Sequence, residues 1–441
     1  MSQTSITVLY GNASTGDFLS QQWRNPTNVV SILSLIGGDV IQKALAQLSG
    51  CVLAPIGFSF GWVAYAFNTL VSVVGDGRLM PPPDYPAKVI NIDTGYIREN
   101  RSWIIGRMLR DFSTPLENHV GLKITVFRAV AKEKRMCSGQ DWIWWTGLLT
   151  IAIQVCISSI PFILYRDWGV FLSTLAGIVL ALLTSGLPQW RYEKWACRSR
   201  SKKTICITGG NGTRYAMIIR CSGEGIDLED LAASESPRLR SRGAGIHGRW
   251  HKKMRNQMGM FEKDEYGQYR TEVRMAFGYP AAYLVTQFAC IILAGLWVVF
   301  LVMVFAFIEN QWYIMAIGGI GTVQNIIAAG TKRPNATHGI SLIEERTFQP
   351  GKVMRALMDL DSAYPKAGRP LLREYFSSDG LRPDEKLWWD ARVQEKTQGS
   401  KDGPIQKNAS ERSLHGPKSC YIQISAGELD SSSQVGKQSR D

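Results

Sequence analysis

The sequence predicts a mainly α membrane protein: five transmembrane helices with a small mixed α/β cytosolic module formed from two loops and the C-terminal region. Three observations predict it. Five stretches of 19 to 25 residues carry no Asp, Glu, Lys or Arg, enough for about 28 to 37 Å of helix against a hydrocarbon core of about 30 Å. Trp and Tyr collect at their ends, as interfacial ring residues do. The alternation these spans impose puts 47 Lys and Arg on one side and 3 (Arg24, Lys43 and Arg166) on the other. The mean hydropathy of −0.07 averages over this division and conceals it.

Residues 1–51 read as a lumenal or extracellular N-terminal segment. No basic start precedes an apolar run, so the sequence predicts no cleavable signal peptide, and the first span serves for insertion. Asn12 heads an acceptor sequon on that side, the candidate glycosylation site, whereas the sequons at Asn211, Asn335 and Asn408 fall on the cytosolic side. Val40, Ile41, Ala44, Leu45 and Leu48 share one helical face, giving an amphipathic interfacial helix. A sixth span here would place Asp39 and Lys43 in the bilayer, at a few kcal/mol each.

The spans follow at 52–74, 142–164, 168–190, 283–307 and 312–330. Only 165–167 separates the second from the third and 308–311 the fourth from the fifth, so each pair is a tight antiparallel hairpin. The segments 75–141, 191–282 and 331–441 share the basic side, which the positive-inside rule assigns to the cytosol. In the last of these, 331–393 keeps the apolar spacing of short helices, and 394–441, rich in Ser, Lys, Gln and Gly, reads as a disordered tail.

The strongly polar groups within the spans are amides: Asn68, Gln154, Gln287, Gln324 and Asn325. Ion pumps and transporters hold ionisable groups at this depth, so the amides point to hydrogen bonding between helices. A channel or transporter subunit is the alternative function they leave open. Small residues recur every fourth position at Ser173, Gly177, Ala181 and Ser185, and again at Gly57 and Gly61, making seams for close helix packing within the bundle or between copies.

The glycine-rich stretch TICITGGNGTRYAMIIR at 204–220 raises the question of a phosphate loop. Such loops join a strand to a helix. Here Asn211-Gly212 lies between two strand-like runs and predicts a β-hairpin. Lys88 to Ile92 and Lys123 to Val130 are further strand-like pieces, and Arg98 to Phe112 reads as an amphipathic helix.

GDGRLMP at 75–81, TGYIRENRSWIIGRMLRDF at 94–112, the GNG turn and GIDLEDLA at 225–232 resemble a family of uncharacterised multi-pass integral membrane proteins of filamentous fungi. The resemblance covers about residues 39–390. It implies a fungal membrane protein and supplies no catalytic assignment.

Enzymatic constellations are not evident. His247 and His251 have the spacing of two ligands on one helical face, yet the chain has only five His and the pair lies in a basic stretch. GxSxG, HExxH and HxxxxD patterns are missing, and the eight Cys include no CxxC. The sequence therefore assigns no catalytic, cofactor or metal residue; a membrane-embedded enzyme is the least favoured reading.

The strongest positive feature is charge. Arg198, Arg200, Lys202 and Lys203 follow the third span directly, and Arg238, Arg240, Arg242, Arg249, Lys252, Lys253 and Arg255 form a second run with no intervening acid. Near an anionic leaflet each such residue contributes about 1 kcal/mol, so these are candidate anionic-lipid contacts. Ser199, Ser201 and Ser241 lie among them, and phosphorylation there opposes the attraction. Cys137 and Cys197, on the basic flanks of spans, are candidate palmitoylation sites. The implied partners are the bilayer, anionic lipids and unidentified proteins, with no nucleic acid. The functional expectation is a non-catalytic interaction, sensing or scaffolding component of the plasma membrane or an endomembrane.

Overall fold

The computed structural model describes residues 37–50, 54–75, 77–130, 140–223, 225–234, 261–263, 269–271, 275–276, 279–306, 311–376 and 380–399. The chain divides into two compact units, 1–381 and 382–441.

Among the described residues of the first unit, α1 (Gly38–Leu48) and α2 (Trp62–Gly75) come first. Its long helices are α4 (Trp142–Tyr165), α5 (Gly169–Ser185), α8 (Ala281–Ala306) and α9 (Gln311–Gly330); α3 (Trp103–Phe112) precedes them in the chain. Three of these, α4, α8 and α9, are long and apolar enough to cross a membrane. A fourth crossing arises if α5 is joined to α6 (Pro188–Lys194) across a 41° bend. Pro188 at the start of α6 explains the break, since proline has no N–H to continue the α5 ladder. Asp141 caps α4 by accepting from Trp144 N at 3.2 Å. At the α4–α5 turn Arg166 adopts φ 55° and Asp167 accepts from Gly169 N. The outward faces are apolar, with Val285, Phe288, Ile292, Val299 and Val302 all exposed. This is the pattern of an integral membrane protein.

The stretch expected to be a single span at 52–74 differs. Only its second part, α2, is helical, and 14 residues make about 21 Å, too short for a crossing. Residues 54–59 lack regular structure and are buried. Ala54 O accepts from Ser185 Oγ at 3.2 Å, at the C-terminal end of α5, and Gly77 O accepts from Gln189 Nε2 at 3.1 Å, just beyond it. The segment therefore enters and leaves the bundle at one end. At its deepest, the Phe58 ring stands 5.4 Å from Phe300 and the Trp62 ring stacks on Trp297 at 5.4 Å. Pro55, Gly57 and Gly61 disfavour helix here, and the absence of charge hides the interruption from a hydropathy reading. Residues 47–50, expected on the opposite side with the N-terminal segment, lie at this same end, where Lys194 Nζ donates to Gln47 O at 3.0 Å and Ser49 O at 2.7 Å. The helix expected to lie at the interface, α1, is packed into the protein along Ile41, Ala44, Leu45 and Leu48, with Asp39 and Lys43 left exposed.

A six-stranded mixed sheet takes strands from the first loop, β1 (Lys88–Asn91), β2 (Ile97–Glu99) and β3 (Lys123–Ala129), and from the second, β5 (Thr204–Thr208) and β6 (Tyr215–Arg220). The sixth, β12 (Leu342–Phe348), comes from the C-terminal region. The order is β12-β3-β6-β5-β1-β2, and only β3 and β6 run parallel. The apolar faces of β3, β5 and β6 are buried, which explains why these strands were legible. β12 falls where the sequence predicts helices; as an edge strand with Glu344, Glu345 and Arg346 it is mostly exposed and lacks an apolar run. Short pairs join β4 (Ser199–Ser201) to β7 (Gly225–Ile226), β8 (Phe261–Lys263) to β9 (Tyr269–Thr271), and β10 (Met275–Ala276) to β11 (Tyr279–Pro280). The helices α7 (Leu228–Ala233), α10 (Val353–Ala363) and α11 (Gly368–Tyr375) complete this unit.

The second unit is described as one helix, α12 (Pro383–Gly399). It carries helical structure six residues past the point where the sequence predicts disorder.

Candidate functional site at the junction of bundle and sheet

The end of the bundle where the loops emerge is held by buried charges. Arg333, three residues after α9, is fully enclosed. Its guanidinium grips Asp141 with two bonds of 2.7 and 2.8 Å and donates a third to Gln47 O at 2.7 Å, while its backbone N–H donates to Asp111 Oδ2 at 3.0 Å. One side chain thus links the C-terminus of α1, the N-cap of α4 and the segment after α9. Planar, bidentate pairing of this kind suits arginine and not lysine.

Neighbouring groups extend the network. Arg107, on the buried face of α3, reaches Asp84 at 3.0 Å and donates to Ala329 O at 2.6 Å, with its guanidinium 4.8 Å above the Trp103 ring. Burial pushes Arg107 below its usual pKa, with Asp84 opposing. His338 Nε2 lies 3.9 Å from Asp111, too far for a hydrogen bond but within electrostatic reach. Burial pushes His338 down to about 4 against the pull of Asp111, and the nearby Lys194 and Arg333 charges add to the depression. Burial works to raise Asp111, yet contacts from His338, Arg333 N and Arg110 hold the carboxylate below its ordinary range. At neutral pH this is a charged, interlocked set around a neutral histidine. It holds structure together, and His338 within it is 0% exposed.

Sequence reasoning missed this network. Its members lie up to 286 residues apart, so no spacing could join them. The signal that existed was a charge at the end of nearly every span.

Of the span amides, Gln154 and Asn325 hold the extended segment, Gln324 and Gln287 bond to Thr146 and Tyr283, and Asn68 is exposed. Gln154 Oε1 accepts from Phe58 N at 3.2 Å, and its Nε2 donates to Phe58 O at 2.6 Å and Ile317 O at 2.9 Å. Asn325 Nδ2 donates to Ser59 Oγ at 3.0 Å and Gly57 O at 3.4 Å, and Gln324 to Thr146 Oγ1 at 3.1 Å. Irregular backbone at such depth persists only where its N–H and C=O groups find protein partners. The small residues make room for the same segment: a Cβ on Gly177 would fall 2.6 Å from the Phe58 ring, one on Gly321 1.8 Å from Phe58 O. Ser173, Ala181 and Ser185 are buried on the same helix as Gly177, and Gly57 packs against Thr150. Gly61 lies beside Gly37.

The basic candidates fare differently. Arg198 pairs with Asp230 through two bonds and reaches Asp227 at 3.6 Å, while Lys203 meets Asp227 at 3.0 Å and Glu229 at 2.8 Å. Hydrogen bonding to Asp230 raises Arg198 above its usual pKa, and Lys203 contributes to holding Glu229 down against burial. The acidic α7 thus balances much of the charge that follows α5. Lys202 is exposed; Arg200 lies in β4. Arg238, Arg240, Arg242, Arg249, Lys252, Lys253 and Arg255, with Asn12, Cys137, His247 and His251, lie outside the described residues. Cys197 is buried, 6% exposed, and closed to an acyltransferase in this conformation.

The glycine loop joins β5 to β6 as a hairpin, with Gly210 and Gly212 at φ 85° and 90°. Thr208 Oγ1 accepts from Gly210 N, and the Glu374 carboxylate stands beside Gly210. That carboxylate is paired with Lys88 at 2.6 Å, and because the loop joins two antiparallel strands and opens no helix, it turns the chain. Burial raises the thiols of Cys206 and Cys221, the latter to about 11, leaving both as inert apolar groups. Among the described residues no cluster of His, Cys, Asp and Glu has metal-binding geometry.

Comparison with protein-family models, curated proteins and solved structures finds no match to the chain.

Proposed function

We propose that the protein acts without catalysis, as an interaction, sensing or scaffolding component of a cellular membrane, its loops and tail facing the cytosol and its basic segments meeting anionic lipid. The observation that carries this reading is the Arg333–Asp141–Gln47 junction, because it ties the sheet-bearing loops to the end of the helix bundle through buried, geometrically specific bonds. Lipid attraction to basic residues acts over about a Debye length, 8–10 Å, so the reading requires the basic segments to meet the headgroups. The buried, raised cysteines and the structural engagement of the amides support this reading over an enzyme or a channel.

The lipid role falls on Arg200, Lys202 and 238–255, since Arg198 and Lys203 are paired with Asp227 and the acids of α7. The test uses the full-length protein in lipid nanodiscs, with the seven basic residues of 238–255 changed to Gln. Native mass spectrometry should show retained phosphatidylserine in the parent and its loss in the variant; equal retention rejects the lipid reading. Sidedness is tested by Asn211→Gln: a glycosidase-sensitive mass shift that this change abolishes would put the loop outside the cytosol.

A further inference from the structure

A second cationic feature lies where four segments meet at the loop end of the bundle. A small, partly open pocket there is lined by Arg78 from the linker after α2, Arg101, Ser102 and Trp103 at the start of α3, Glu193 and Lys194 at the end of α6, and Ser234 at the end of α7. Three basic residues and one carboxyl group thus line it, and burial pushes Glu193 up to about 7.

The pocket has unused donors. α3 is a 10-residue helix whose N-cap, Ser102, makes no side-chain capping bond, so first-turn N–H groups and the positive end of the helix dipole face this region without an acceptor from the cap. Trp103 is 2% exposed, and its indole Nε1–H has no acceptor among the described residues. A buried donor in this state calls for an acceptor from a ligand or water. Two of the basic groups are held in place: Arg78 donates to the Ser234 carbonyl at the pocket wall and Lys194 to the carbonyls of Gln47 and Ser49. Glu193, the one acid, is turned to other donors, accepting from Leu79 N at 2.8 Å, Met80 N at 2.7 Å and Gln189 Nε2.

We propose that this pocket binds a phosphate group, held by Arg78 and Arg101 with the Ser102 hydroxyl, the first-turn N–H groups of α3 and the Trp103 indole N–H. Two guanidinium forks and a helix N-terminus match the oxygens of a phosphate dianion better than a monovalent carboxylate. The phosphate is that of a soluble phosphoester or of a phosphomonoester lipid headgroup. The site uses none of the basic residues at 198–255 and stands independently of the lipid reading above.

The test uses the full-length protein in detergent for calorimetric titration with inorganic phosphate, and in nanodiscs of phosphatidylcholine with or without phosphatidic acid for native mass spectrometry. Arg101→Gln and Arg78→Gln should each weaken binding on the order of tenfold, while Arg355→Gln, on the exposed surface of α10, should leave it unchanged. Binding of inorganic phosphate without retained phosphatidic acid identifies a soluble source; retention of phosphatidic acid identifies a lipid. Because Arg101 is exposed, its replacement is compatible with folding and decides the matter alone if Arg78→Gln does not fold. Failure of the parent to bind either probe, or binding that Arg101→Gln leaves unchanged, overturns the proposal.

Discussion

Replacing Arg333 with methionine removes a side chain that joins α1, α4 and the segment after α9. Three charge-assisted bonds are lost, each worth about 1.5–3 kcal/mol before compensation. Most of the damage lies in what remains: Asp141, largely enclosed at 13% side-chain exposure, keeps its charge without a counter-ion. Breaking a buried pair by removing one partner costs about 3–5 kcal/mol, and Arg333, at 0% exposed, leaves little room for solvent screening to reduce it. Methionine preserves much of the volume, so the loss is not a cavity effect. The assay is a double-mutant cycle of Arg333→Met and Asp141→Asn, read by unfolding from mixed micelles. Each single change should destabilise strongly, and the double variant should recover about 1–3 kcal/mol relative to their sum. Arg355→Gln, which breaks the exposed pair with Asp359, should move stability by no more than about 0.5 kcal/mol. Strict additivity of the two changes, or a loss under about 1 kcal/mol for Arg333→Met, would refute the junction as a structural lock.

Three further outcomes follow from the same geometry. Gly321→Ala directs a methyl group at Phe58 O and should destabilise by at least about 1–3 kcal/mol, whereas Gly295→Ala, with open space around it, should be silent in the same unfolding assay. Gln154→Leu strips partners from both Phe58 N and Phe58 O, at about 1–3 kcal/mol each; a variant as stable as the parent would show that the extended segment does not depend on the amide. His338 is depressed from 6.5 to about 4 in the fold, so the unfolded chain takes up its proton first. Its contribution is complete above about pH 6.5 and is lost as pH falls toward 4, by on the order of 3 kcal/mol. Acid titration of stability should therefore show a step in that window that His338→Gln removes.

Legibility tracks how far apart the interacting groups lie. The helices α4, α8 and α9 announce themselves because an apolar run long enough to cross a membrane has few other uses, and the β5–β6 hairpin is written in four residues. The 54–75 segment misleads because hydropathy averages over composition and is blind to backbone shape. Pro55, Gly57 and Gly61 were visible, but their consequence depends on partners at Gln154, Gly177, Gly321 and Asn325. β12 was hidden for the opposite reason: an edge strand buries little, so it needs no apolar pattern. Among the candidate residues, Arg198 and Lys203 read as free charge only while the acids of α7, about 30 residues away, were out of view.

The sequence by itself determined the membrane character, the short connection between α4 and α5 and the material for a small sheet, since each depends on local composition or on residues a few positions apart. Only the tertiary structure decided which apolar segment fails to cross, which cations are neutralised and where the loops are fastened. Those outcomes rest on hydrogen bonds and ion pairs between residues distant in the chain, whose strength comes from burial that no local stretch of sequence contains.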